Sequence, residues 1–70
     1  MLEEIKSIIK KVDDFDFMMY KIDEVLTTRL SDQQIRDLCE VYFKKNETPE
    51  QLEMSNQLFR ELHHRMTMLN

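Results

Sequence analysis

The sequence contains no glycine and no tryptophan, and only one proline and one cysteine. Each shortage removes a class of structure or chemistry. Without glycine there is no easy occupant for the positive-φ positions of tight hairpins, so sheet structure is disfavoured. A glycine-rich phosphate loop is excluded for the same reason. A single thiol cannot close an internal disulfide and fits a reducing compartment, and no Cys/His cluster has zinc spacing. Apolar runs extend to only a few residues, too short for a membrane span or a signal-peptide core. These features predict a cytoplasmic chain with no membrane contact.

What remains is a chain of 70 residues, 41% hydrophobic and 34% charged, with six methionines and a net charge of −4. That length makes one domain, spanning 1–70, and a domain of this size buries only about 60% of the surface its unfolded chain exposes. The negative charge weakens a nucleic-acid role but leaves it open, because phosphate binding needs clustered rather than net positive charge.

Two stretches carry the least ambiguous local signals in the chain, both of them helix starts. Leu30-Ser31-Asp32-Gln33-Gln34-Ile35 places Ser31 as N-cap, Gln34 to bond back to it, and Leu30 to staple onto Ile35. Thr48-Pro49-Glu50-Gln51 repeats the device, with Thr48 as cap, Pro49 at the first helical position and Gln51 completing the box. Between them fits one helix ending near Lys44, Lys45 and Asn46, where cations suit the carbonyl end and Asn tolerates the left-handed conformation.

The apolar positions Leu2, Ile5, Ile8, Ile9 and Val12 define a first helix. Its acids fall in the first turn and its lysines in the last. At Val12-Asp13-Asp14-Phe15-Asp16-Phe17 a second helix begins, with Asp13 as the expected cap and Val12 stapled to Phe17. A kink in one long helix is the alternative. The second stripe is Phe15, Met18, Met19, Ile22, Val25, Leu26 and Leu30, weakened at its end by Thr27 and Thr28. The third is Ile35, Leu38, Cys39 and Tyr42. The fourth is Leu52, Ser55, Leu58, Phe59, Leu62, Met66 and Leu69, with a last turn expected to fray. Connections of two to four residues turn neighbouring helices sharply back on each other. The predicted fold is all-α, a compact bundle of three to four short helices.

Catalytic and metal chemistry find little footing. His63 and His64 are adjacent on a helix and point about 100° apart, so they cannot act as a pair. Glu61 and His64 have a Glu-x-x-His spacing, but a di-iron site needs two such copies and two further glutamates. Asp13, Asp14 and Asp16 lack the glycine and distal glutamate of an EF-hand loop, and capping is their simpler use. Cys39 on an apolar stripe reads as a buried, inert thiol. No catalytic residue, metal, cofactor or small-molecule substrate is expected, and the chain reads as a non-enzyme.

Surface chemistry is more informative. Met19, Tyr20, Val41, Phe43, Met54 and Met68 fall partly off the apolar stripes. Flexible, polarizable side chains of this kind are over-used on adaptable binding surfaces, although scattered exposed apolars are also ordinary. They are the candidate protein-binding residues. A second candidate set is basic: Lys6, Lys10 and Lys11 in the first helix, Lys44 and Lys45 at the end of the third, and Arg60, His64 and Arg65 in the fourth. Clustered on one side they would suit nucleic acid. Dispersed, they are solvated lysines where helix dipoles favour them. The start of the fourth helix carries Glu50 and Glu53, which phosphate would repel from a major-groove role.

Ile9-Lys10-Lys11-Val12 followed by Phe15-Asp16, the Leu30-Ser31-Asp32 helix start and Asn56-Gln57-Leu58-Phe59 occur in the order seen in the Hha/YmoA family. The chain resembles these small helical modulators of bacterial nucleoid proteins. The family's Ala-Asp-His-Arg run has no counterpart here, and no functional residue carries over. The resemblance implies a regulator that binds an oligomeric DNA-binding protein rather than DNA. A short, glycine-free, methionine-rich chain equally suits a helical accessory protein of phage or plasmid origin. Two functions are therefore expected. The first is an adaptor or modulator that binds a protein partner, or itself, through an exposed apolar and acidic helix face. The second is a nucleic-acid-binding accessory module of a replication, repair or transcription protein, working through lysine-rich helix ends.

Overall fold

A computed structural model describes residues 1–69. They form four α-helices and, among the described residues, no strand: α1 (Leu2–Lys11), α2 (Phe15–Val25), α3 (Asp32–Phe43) and α4 (Pro49–Met68). The all-α bundle expected from the sequence is what the chain adopts, and its first two helices are separate. α1 packs against α2 and α3, and α3 packs against α4. No Cα of α2 comes within 8 Å of α4.

Side-chain caps set the starts of α2, α3 and α4, not always with the residue expected. Ser31 accepts from Gln34 N–H at 3.1 Å while Gln34 Oε1 accepts from Ser31 N–H at 2.8 Å, a complete capping box. The α2 cap is Asp14 rather than Asp13: its Oδ2 accepts from Phe17 N–H at 2.9 Å. Asp13 stays exposed and pairs with Lys45 at 3.4 Å. Thr48 caps α4 as expected, accepting from Gln51 N–H at 3.0 Å. Gln51 does not complete a box, because its Nε2 donates instead to Tyr42 C=O at 2.8 Å, near the carbonyl end of α3.

The α3–α4 turn also differs in detail. Asn46 is not its left-handed residue; Glu47 is, with φ of 38°. Phe43 C=O accepts from both Asn46 and Glu47 N–H, so the chain tightens by one residue before reversing. Leu26–Ser31 forms a loop rather than the last turns of α2. There the consecutive β-branched Thr27 and Thr28 have other acceptors, both donating to Met1 Sδ. Leu30 N–H likewise donates to Met66 Sδ at 3.1 Å.

α4 continues to Met68, and its end is tied to the α2–α3 loop. Arg29 reaches from this loop and donates to Met66 C=O at 2.8 Å and Leu69 C=O at 3.3 Å, satisfying carbonyls that the helix leaves open.

One core joins all four helices. Ile5 and Ile9, Met18 and Ile22, Ile35 and Leu38, and Leu58 and Leu62 are fully buried. Leu26 and Leu30 enter this core from the loop, and Met66 closes it beneath them. Ser55 is buried with its hydroxyl donating to Cys39 C=O at 3.0 Å, so it leaves no unpaired polar atom.

Candidate functional site

α2 and α4 run side by side in the same sense, with early α2 beside the middle of α4 and late α2 beside its end. Phe15, Asp16, Met19 and Tyr20 face Gln57 and Glu61, and further along Asp23 faces Glu61 and Arg65. Because their backbones keep apart, an open groove lies between the two helices. It continues past His64 to Met68, sharing Asp23, Glu61 and Arg65 along its floor. On α4 the groove spans Gln57 to Met68, about 16 Å or three helical turns.

Arg65 is the tie across it. Its Nε and Nη2 donate to the two carboxylate oxygens of Asp23 at 2.6 and 3.1 Å, and its Nη1 donates to Glu61 at 2.8 Å. The two-pronged bond to Asp23 is the leading reason that the guanidinium pKa is raised above its ordinary value, and Glu61 adds to it. One cation thus serves two carboxylates. Counting Asp16, the groove keeps an excess of negative charge.

Large apolar side chains stand beside this acidic floor. Tyr20 is 59% exposed and Met68 is 69% exposed. Phe17, 49% exposed, stacks on Tyr20 with ring centroids 6.3 Å apart, and the Lys21 ammonium lies 5.3 Å from its centroid. The remaining expected protein-binding residues divide. Met19 is buried in the core and reaches the groove only at its inner wall. Val41 and Met54 are partly buried against the core and Phe43 is partly exposed, none of them in the α2/α4 groove. Sequence reasoning missed Phe17, assigned to a staple with Val12, and Leu52, assigned to the core face of α4 but 52% exposed. The available signal for Phe17 was its place off the stripe of Phe15, Met18, Met19 and Ile22, which is the face that α2 buries.

The basic candidates form no single surface. Lys10, Lys44 and Lys45 meet around Val41 between α1 and α3. Two of these lysines are already engaged. Lys44 pairs with Glu40 at 3.0 Å, and Lys45 donates to Val12 C=O at 2.9 Å and approaches Asp13. Lys6 pairs with Glu3, while Lys11 and Arg60 are exposed. Arg65 and His64 belong to the α2/α4 groove.

Groups with potential for chemistry are used structurally. Cys39 is a buried thiol whose pKa is pushed up to about 11 by desolvation. His63 stacks on Phe59 with centroids 4.4 Å apart. Its Nε2 lies 3.1 Å from Asp32 Oδ1, out of line for a hydrogen bond. Arg36 covers Phe59 at 5.6 Å and pairs with Asp32 at 2.7 Å, completing a ring of four side chains that joins α3 to α4. Among the described residues no three His, Cys, Asp or Glu side chains could share a metal ion, and no helix is long and apolar enough to cross a membrane. No known family, curated protein or solved structure matches the chain.

Proposed function

We propose that this protein is a cytoplasmic, non-enzymatic adaptor that binds another protein through the face formed by α2 and α4. The observation that carries the reading is the groove itself: a seam where two helices of the bundle lack backbone contact, floored by carboxylates and flanked by exposed Tyr20 and Met68. Flexible methionine and amphipathic tyrosine together suit recognition of a protein surface. The sequence resemblance to the Hha/YmoA family supports a regulator of this kind.

Affinity capture with the native chain and with Tyr20→Ser/Met68→Ser, each with and without nuclease, tests the reading. A nuclease-resistant protein lost from the groove variant but retained by Lys10→Gln/Lys44→Gln is the expected result. Equal recovery by both variants overturns the assignment of this face. The lysines around Val41 carry the second reading, nucleic-acid binding, and predict recovery that disappears with nuclease and falls steeply with salt.

A further inference from the structure

The α2/α4 groove has a length, a charge and a rim that together specify its guest. It is about three helical turns long and is bordered by two helices running in the same sense, so a third helix can lie along it with its axis between theirs. Asp16, Asp23 and Glu61 present three carboxylates against the one guanidinium of Arg65. Lys21, the nearest α2 cation, does not line the groove and is paired with Glu24 at 3.5 Å.

We propose that the groove seats a cationic amphipathic helix of a partner protein, with lysine or arginine side chains on Asp16 and on the Asp23–Glu61 pair and apolar anchors on Tyr20 and Met68. This rests on the docking reading above and adds the chemistry of the partner. Arg65 marks the geometry that the guest uses. Its guanidinium already bridges carboxylates of both helices, so a guest cation arriving beside it meets acceptors held at fixed spacing. An acidic or purely apolar helix leaves Asp16 unpaired at the interface, which disfavours it.

The test uses the full chain and two synthetic 14-residue helical peptides with the same leucine pattern, one with lysine at every polar position and one with glutamate. Binding is read by fluorescence anisotropy at physiological salt. The lysine peptide is expected to saturate at one per chain and the glutamate peptide not to bind. Asp16→Asn and Tyr20→Ser should each weaken the lysine peptide about tenfold, the change given by loss of one anchor. Glu53→Gln removes the same charge from α4 outside the groove and should change nothing.

Equal binding of both peptides, or no binding of the lysine peptide, overturns the cationic guest. If Asp16→Asn and Glu53→Gln weaken it alike, the attraction is to net charge and the proposal also fails. None of these outcomes alters the capture result with Tyr20→Ser/Met68→Ser, so the docking reading stands or falls separately.

Discussion

A chain without glycine must still turn α3 into α4, and it does so by placing Glu47 at φ of 38°. For an L-residue with a Cβ, the left-handed conformation costs about 1–2 kcal/mol, and glycine escapes it. Glu47→Gly removes that strain while the Glu47 N–H to Phe43 C=O bond of 3.0 Å remains available to the new residue. The greater freedom of glycine in the unfolded chain takes back about 0.5–1 kcal/mol, leaving a net gain of about 0.5–1 kcal/mol. For a domain of this size, that raises Tm by roughly 2–8 °C. Thermal unfolding followed by circular dichroism at neutral pH reads the shift directly. Glu47→Ala is the control, because it removes the same exposed charge but retains a Cβ, and should not be more stable than the native chain. If Glu47→Gly fails to gain, or if Glu47→Ala gains as much, backbone strain at this turn is not what the substitution relieves.

Leu62→Ala empties a fully buried position and should destabilise by about 2–5 kcal/mol, a large share of what a small domain has, seen as a loss of midpoint in urea unfolding. Arg29→Ala deletes the side chain that holds the last carbonyls of α4. It should cost about 1 kcal/mol, with amides of the final α4 turn exchanging faster than those near Leu58. Cys39, with its thiol pushed up to about 11 and buried, should resist a disulfide reagent at pH 8 and react fully once the chain is unfolded in urea. Asp32 has its pKa lowered first by the hydrogen bond from Arg36, with charge interactions with Arg36 and His63 adding to it. A depressed folded value means that its contribution is present above the ordinary carboxylate range and fades as pH falls through the folded pKa. Asp32→Asn should therefore flatten the acid limb of the stability profile below about pH 4, with the stability difference from the native chain shrinking as pH falls through that range.

The helices were legible because apolar spacing and cap chemistry agree along most of the chain. Ser31 with Gln34, and Thr48 with Pro49, are local signals whose partners lie within three residues, and both act as read. The errors arise where a side chain's partner is distant. Gln51 answers to Tyr42 across the turn, and Thr27 and Thr28 answer to the sulfur of Met1. No pattern local to α2 contains those acceptors. The choice between Asp13 and Asp14 had a further consequence. With the cap at Asp14 the staple positions fall on Asp13 and Met18 rather than Val12 and Phe17, and Phe17, off the buried stripe of Met18, Met19 and Ile22, stands at the surface. Of the candidate site, Tyr20 and Met68 were visible as apolar residues off the stripes. The carboxylate floor was not, because Asp23, Glu61 and Arg65 meet only when α2 and α4 are laid together.

Why the seam opens at α2 and α4 follows from how the core is divided. α1 and α3 lie inside the order of packing, each flanked by two helices, and between them supply Ile5, Ile9, Ile35 and Leu38 to the deepest positions. α2 has 11 residues, buries Met18 and Ile22 fully in the core, and makes its backbone contact with α1 rather than with α4. Phe15 and Met19 supply the apolar contact beneath the seam, and the chain bridges its open rim by a charged side chain on the surface. A partly exposed pair such as Arg65–Asp23 holds two helices in position with little net stability, since solvent screens it and two long side chains must be ordered. Such a joint fixes the spacing of α2 and α4 without sealing the gap between them. Tyr20 and Met68 stand exposed along that open seam, and the proposed guest helix would cover them both.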